Sequence, residues 1–431
     1  MIKPLLRWLV PLCLGFCALV VRAQESTVLT LTQARELSIK NHPRITAAEL
    51  IALASHEIVR EARSAYYPSV TANATAVGTA ASNTRIAAGG LNNPLILERN
   101  AEGVTVSQLI TDFGRTHNLT ASSKSQEQAQ EQNALATRAQ ILLALDSAYF
   151  STLQAQSLLS VATQTVATRQ LTFEQVNQLA QNKLKSTLDV SFARVNLQEA
   201  MLLQAQATND LEAAFAGLIN LLGERNPPNY HLVDEPLPTA PSSDAAQLVQ
   251  EALRNRPDLV QSRYQVEAAR SLARAERDLH YPTISAVGTA GIVPIGDSQL
   301  RDNYAAAGVN FSLPIFEGFL YSAKQKEAQF RARAAAEDLR DAENNVIRDV
   351  KIASMNLDYA AARLDLTAKL LESANEALDL AKTRYQVGSS SIVELSQAEL
   401  SQTEAQIAQA RARYEYQTRS SILNYEIGEL R

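Results

Sequence analysis

The chain has 431 residues, enough for two or three ordinary domains, with 40 Lys and Arg set against 45 Asp and Glu. Its two cysteines, Cys13 and Cys17, lie close to the start, so the remainder can hold no disulfide, thiol chemistry or cysteine metal site. No basic patch or arginine stripe stands out, which argues against nucleic acid as a partner.

The chain opens with Lys3 and Arg7, an apolar stretch from Trp8 to Val21, and then Val21-Arg22-Ala23. That is the layout of a secretory signal over residues 1–23, cleaved after Ala23. A membrane span is the competing reading, but the apolar run is about 14 residues and a span needs roughly 20. Lipidation of Cys17 is a disfavoured alternative, because bulky Phe16 precedes it. Loss of residues 1–23 removes three positive charges and leaves a net charge of −8. No later apolar run approaches the length of a membrane helix. If the exported chain meets a membrane, it does so through strands or from the surface.

After the signal, a short helix over Thr32–Lys40 stops at Asn41-His42-Pro43, and a second runs to Tyr66. Tyr67-Pro68 ends it, since proline removes a backbone donor and forces the chain out of helix. The period then changes to two. Val70, Ala72, Ala74 and Ala76 alternate with Ser69, Thr71, Asn73 and Thr75 in a strand over about 69–79, and Val104 and Val106 mark a return strand over about 103–110. The Asn-rich segment between them, with Gly89-Gly90, reads as a loop. Residues 115–181 contain no proline or glycine and predict one helix about 100 Å long. A turn at 182–186 leads into a returning helix over about 187–222, stopped by Gly223.

Pro227, Pro228, Pro236, Pro238 and Pro241 mark residues 225–243 as an extended linker. Beyond it the pattern repeats: helices over Asp244–Asn255 and Pro257–Leu279, then Tyr281-Pro282, then strands over about 283–292 and 303–313. A second rod covers about 321–386 and a returning helix about 391–427. Its apolar seam is expected at Val346, Val350, Ala353, Leu357, Ala360, Leu364, Ala368, Leu371, Ala374, Leu378, Ala381 and Tyr385. Matching positions lie 214 residues apart up to Pro68 and 205 apart from Ser107 onward. Residues 24–224 and 244–431 are therefore copies of one unit. Four strands are too few to close a transmembrane barrel, and open edges in lipid leave backbone groups unpaired. If the strands are in the membrane, the chain must oligomerise.

Together these features resemble the TolC family of outer-membrane efflux proteins. The segments that carry the resemblance are Ser107 to Arg115 (SQLITDFGR), Phe311 to Gly318 (FSLPIFEG), and Tyr385-Gln386-Val387-Gly388 followed by Ile392-Val393-Glu394. The resemblance implies a mainly α fold with a transmembrane β-barrel portion: long antiparallel coiled-coil hairpins plus four strands per protomer, twelve in a homotrimer. It implies a passive duct through the outer-membrane lipid, with a periplasmic adaptor and an inner-membrane pump as partners. The alternatives from other classes are a periplasmic adaptor and a structural coiled-coil protein of the envelope.

By the same resemblance, Glu394, Asp189, Tyr385 and Gln397 are candidates for the periplasmic constriction, with Gln397 standing where the founding member has a second acidic ring. Lys183, Leu184, Val387, Gly388 and Ser389 are candidates for adaptor contact. Ser186-x-x-Asp189 and Ser391-x-x-Glu394 also fit capping boxes, which satisfy free amides at a helix start. Both readings of these carboxylates stay open. Tyr385 and Asp189 are candidates for a hydrogen bond between hairpins. Tyr67, Pro68, Tyr281, Pro282 and Pro314 fall at helix–strand junctions, where aromatic rings suit a lipid–water boundary. The five histidines show no ligand spacing, and no nucleophile elbow or phosphate loop occurs. Neither metal, cofactor nor catalysis is expected.

Overall fold

A computed structural model describes residues 27–77, 99–225, 227–238, 244–295 and 302–430. The signal segment, both cysteines, Gly89-Gly90 and Pro241 lie outside these residues. In chain order the elements are β1 (Thr27–Leu29), α1 (Leu31–Asn41), α2 (Pro43–Ser64), β2 (Ser69–Val77), β3 (Arg99–Thr111), α3 (Arg115–Gln181) and α4 (Thr187–Leu222). The segment between the copies supplies β4 (Tyr230–Leu232), and the second copy α5 (Ala245–Asn255), α6 (Pro257–Arg277), β5 (Thr283–Ile295), β6 (Asn303–Ser312), α7 (Leu320–Gln386) and α8 (Ile392–Glu426). A single 3₁₀ turn over Asp278–His280 follows α6.

The helix stops have local causes. His42 caps α2, its Nδ1 accepting from the Arg44 amide at 3.3 Å, and Pro43 occupies the first helical position, where no donor is needed. Pro257 does the same for α6. Gly223 and Gly428 take φ of +71° and +80° after α4 and after Ile427. A Cβ on Gly223 would sit 2.7 Å from the Asn41 carbonyl oxygen, so glycine there answers a close backbone approach as well as a left-handed φ.

The rods α3 and α7 have 67 residues each, about 100 Å at 1.5 Å per residue. Each is covered along part of its length by its returning helix, and α3 also packs along α2, α6 and α8. The buried seam of α7 runs through Val346, Val350, Ala353, Leu357, Ala360, Thr367, Ala374, Leu378 and Ala381. Thr367, not the expected Ala368, takes the inward position. A strict alternation of four and three residues from Val346 reaches 367, and its hydroxyl is held within hydrogen-bond distance of the Gln409 side chain (2.6 Å). Ala368 is exposed.

The four long strands form one antiparallel sheet in the order β2-β3-β5-β6, with β2 and β6 at its open edges. Register sorts its faces. Val70, Val106, Gly288 and Ala307 lie in one cross-strand row, and Ala72, Val104, Ala290 and Ala305 in the next but one. Between them Thr71, Thr105, Thr289 and Ala306 form a row on the opposite face, because side chains alternate along a strand. One face is thus small and apolar, the other rich in hydroxyls. Strands of 9 to 13 residues match the roughly 9–11 that a tilted barrel strand needs to cross a bilayer. Among the described residues no helix is long and apolar enough to do so.

The segment read as an extended linker contains a strand. β4 pairs in parallel with β1, the two short strands that lead the two copies. Tyr149 of α3 holds this small sheet: its buried hydroxyl lies 2.9 Å from the Leu29 carbonyl oxygen and 2.7 Å from that of Val233, and donates between them. Leu29, Leu145, Leu218, Leu222 and Leu232 pack around it as the main core midway along the rods. Three-residue strands carry too little pattern to be read from sequence.

Candidate functional site

Four helix ends meet at one tip of the molecule. Val176 of α3, Ala193 of α4, Leu378 and Ala381 of α7, and Ile392 and Leu395 of α8 are buried in one cluster, with Tyr385 packed against it. This places the turn residues 182–186 and 387–391 side by side at the end remote from the sheet.

Both turns close with the same device. After α3, Lys183 takes φ +60°, its amide donating to the Ala180 carbonyl (2.9 Å), and Leu184 donates to Leu179 (2.9 Å). After α7, Gly388 takes φ +76° and donates to Tyr385 (3.1 Å), and Ser389 donates to Arg384 (2.9 Å). This pair of bonds is the Schellman motif, which satisfies the last free helix carbonyls. Leu184 and Val387 are exposed by 69 % and 74 %, with Leu188 and Val393 also exposed nearby, so the tip presents apolar side chains to its surroundings.

The two acidic positions are used differently. Asp189 closes a full capping box: its amide donates to the Ser186 hydroxyl oxygen (3.2 Å), while Oδ2 accepts from the Ser186 amide (3.0 Å) and hydroxyl (2.9 Å). Glu394 keeps only the first half. Its amide donates to Ser391 Oγ (3.3 Å), but its carboxylate turns away, accepting from Ser390 Oγ (2.6 Å) and pairing with Arg384 (2.8 Å). The first copy offers no such partner, because the residue equivalent to Arg384 at the 205-residue shift is Leu179. Arg384 was not among the sequence candidates. A basic last turn facing an acidic first turn across a five-residue link was the available signal.

Tyr385 does not form the expected bond with Asp189. Its buried hydroxyl has no hydrogen-bond partner among the described residues, and the Asp189 carboxylate is engaged by Ser186. Burial, then the nearby Asp189 charge, pushes the Tyr385 phenol above its ordinary value. Lys185 Nζ lies 4.2 Å from the centre of the Tyr385 ring, a cation–π contact that joins the two hairpins. Gln397 is exposed one turn beyond Glu394.

Deeper in the same end lies a contact that sequence reading missed. Arg169 of α3 pairs with Glu399 of α8 at 2.7 Å, with 7 % and 4 % of their side chains exposed, and Thr172 donates to the same carboxylate at 3.1 Å. Asn196 of α4 donates to Ser396 of α8 at 2.7 Å. Burial pushes the Glu399 carboxyl up from its ordinary value, while Arg169, Thr172 and Lys382 pull it back. No local pattern signals this pair, because its members are 230 positions apart in the chain.

At the opposite end, Pro68 and Pro282 immediately precede β2 and β5, and Pro314 follows β6. Tyr67 is 71 % and Tyr281 46 % exposed. Tyr281 lies 6.2 Å from the Phe113 ring. The junction candidates therefore stand together where helix gives way to sheet. Among the described residues no cluster of His, Cys, Asp or Glu could hold a metal ion.

An open antiparallel sheet of barrel-strand length, carried on paired rods, defines the class of protein; the comparisons define the family. The chain belongs to the outer membrane efflux protein family, whose model matches residues 34–224 and 248–428, one match in each copy. It is 26 % identical over 442 residues to the outer membrane protein TolC of Salmonella enteritidis, covering 99 % of this chain and 87 % of that one. In fold it is similar to CusC, studied for folding and transmembrane channel formation (TM-score 0.80, 19 % identity, 92 % of each chain). It is equally similar to a membrane protein from Pseudomonas aeruginosa (TM-score 0.80, 24 % identity, 92 % of this chain and 93 % of that one).

Proposed function

We propose that the protein is the outer-membrane channel of a tripartite efflux system, a passive exit duct fed by an inner-membrane pump through a periplasmic adaptor. The observation that carries this is the sheet: four antiparallel strands with an apolar face, both edges open, joined directly to rods of about 100 Å. Such edges are costly in lipid unless paired. Three copies supply twelve strands, pair β6 of one with β2 of the next, and remove every edge. The rods then surround a periplasmic tunnel, and the hydroxyl-rich sheet face lines the pore. Membership of an efflux family whose model spans both copies supports this over an adaptor or a structural coiled coil. The exposed apolar turn residues Leu184, Val387 and their neighbours fit a protein partner at the tip, and this is the adaptor's place.

At that tip Glu394 and Asp189 are proposed to line the constriction, with Tyr385 and Gln397 beside them. Six carboxylates around a threefold axis favour cations and oppose closure by mutual repulsion. Heat-modifiable migration of the detergent-extracted protein and cation-selective conductance in planar bilayers test the duct; a stable water-soluble monomer without conductance overturns it. Asp189→Asn with Glu394→Gln tests the constriction. Lowered cation preference is expected, and unchanged conductance and selectivity would remove these two residues from the pore.

A further inference from the structure

Midway along the rods, a cavity of about 430 Å³ opens between α3, α7 and α8. Its wall carries three guanidinium groups, Arg363, Arg411 and Arg419, and one carboxylate, Glu415, with Ser151 and Gln154 facing them from α3. Glu415 is divided: one oxygen accepts from Arg363 at 2.6 Å, and the other lies 3.8 Å from Arg419. Arg411 is exposed and has no ion pair or hydrogen bond among the described residues. Each guanidinium offers five N–H donors and no acceptor. Three guanidinium groups and a net charge of about +2 thus face one carboxylate, and the rest of the polar wall, Ser147, Ser151, Gln154 and Thr418, is uncharged.

The duplication provides an internal control. At the 205-residue shift, Arg363, Arg411, Glu415 and Arg419 correspond to Leu158, Gln206, Asp210 and Ala214. The first copy builds the same hairpin without a single arginine at these places. Hairpin packing therefore does not require the cluster. Three like charges around one cavity repel one another, and an anion placed among them offsets that repulsion.

We infer that this cavity is a binding site for a compact polyanion of the phosphate type, such as a phosphate ester or pyrophosphate group, held by Arg411 and Arg419 with Arg363 anchored by Glu415. Arginine suits this role because its planar fork donates two parallel bonds to tetrahedral oxyanions. The volume falls within the range of small-molecule pockets, roughly 300–1,000 Å³. Ser147, at the cavity's sheet-proximal edge, lies 32 residues into α3, about 50 Å from the sheet. That is too far for a lipid headgroup, so the ligand is a free solute. The site goes beyond the duct reading, and binding is measured on the protein alone, so either can fail without the other.

The test is calorimetric titration of the purified full chain in neutral detergent with inorganic pyrophosphate, at low and moderate chloride. Saturable one-to-one binding per chain, weakened by chloride, is expected. Arg411→Gln with Arg419→Gln weakens it by roughly tenfold or more, since a hydrogen bond to a charged group contributes about 1.5–3 kcal/mol. Glu415→Gln removes the competing carboxylate and tightens binding, a change of opposite sign that a folding defect does not imitate. Arg340→Gln, an exposed arginine 23 residues from Arg363 along α7, leaves affinity unchanged. No saturable binding at millimolar pyrophosphate, equal affinity in the double arginine variant, or an equal loss in Arg340→Gln overturns the inference.

Discussion

At the tip, Lys183 takes the left-handed position that Gly388 takes in the second copy, and Asp189 the acidic position of Glu394. The backbone is the same in both turns, yet the side chains are spent differently. Asp189 folds back on Ser186, whereas Glu394, one methylene longer and provided with Arg384, reaches across the turn. The same divergence recurs deeper. Arg169 and Glu399 bridge the hairpins, but their equivalents are Ala374 and Arg194, so no second such bridge exists at the related place. Duplication supplied a symmetric frame, and unmatched residues made its two halves unequal.

The buried bridge is where breaking that inequality has the largest effect. Arg169→Ala leaves the Glu399 charge buried without its partner, and the expected loss is about 3–5 kcal/mol, read from thermal or denaturant unfolding. Glu399→Gln keeps the volume and a neutral acceptor for Thr172 but leaves the buried Arg169 guanidinium without its counter-charge, so a loss of the same order is expected; the two variants differ in which charge is left unpaired. The two variants also separate in pH. The folded chain raises the Glu399 carboxyl above its ordinary 4.5 because burial outweighs Arg169. The native state therefore holds that proton more tightly than the unfolded chain does. This contribution to stability is full below 4.5 and declines as pH rises through the raised value. Glu399→Gln removes that slope, and an unaltered pH profile would show that the carboxyl is not perturbed.

Next in size are the glycines that end helices. At Gly223 and Gly428 an added Cβ would meet backbone atoms at 2.7 and 2.9 Å, on Asn41 and Asn255. At Gly388 it would meet nothing within 4 Å. Gly388→Ala thus carries the left-handed penalty alone, about 1–2 kcal/mol, and Gly223→Ala carries that and a displaced backbone. Melting of the two variants orders them. Lys183→Gly should move the other way, gaining about 1 kcal/mol, because the first turn already holds a side chain at φ +60°.

These contrasts also explain what the sequence disclosed. The rods were legible because 67-residue segments without proline or glycine leave no alternative to helix, and the sheet because Val and Ala alternate with Thr and Ser over at least nine residues. The duplication fixed the correspondence of the copies. The parallel pairing of β1 with β4 was not legible, since three residues carry no period and the partners are 203 positions apart. Arg169–Glu399 failed for the same reason of separation. Apolarity points to Ala368 for the seam and strict heptad spacing to Thr367, and the structure follows the spacing.

The smallest effects sharpen the comparison of the two acidic positions most. Ser186→Ala removes the hydroxyl that accepts from the Asp189 amide and leaves the other half of the box, the backbone amide of residue 186 donating to Asp189 Oδ2; about 1 kcal/mol is expected, seen as lost amide protection at Asp189. Arg384→Ala removes an ion pair whose members are 57 % and 41 % exposed; solvent screening holds such a pair below about 1 kcal/mol. The Glu394 amide should stay protected, because Ser391 Oγ still accepts from it. Arg384→Ala is therefore expected to leave melting nearly unchanged and to leave the Glu394 carboxylate un-neutralised, held only by the Ser390 hydroxyl, raising the cation preference of the pore. No single change of partner can free Asp189 in this way, since its partner is the cap itself. If Arg384→Ala proved as destabilising as Ser186→Ala, with selectivity unmoved, Glu394 would be a structural residue like Asp189, and the two turns would differ in geometry without differing in role.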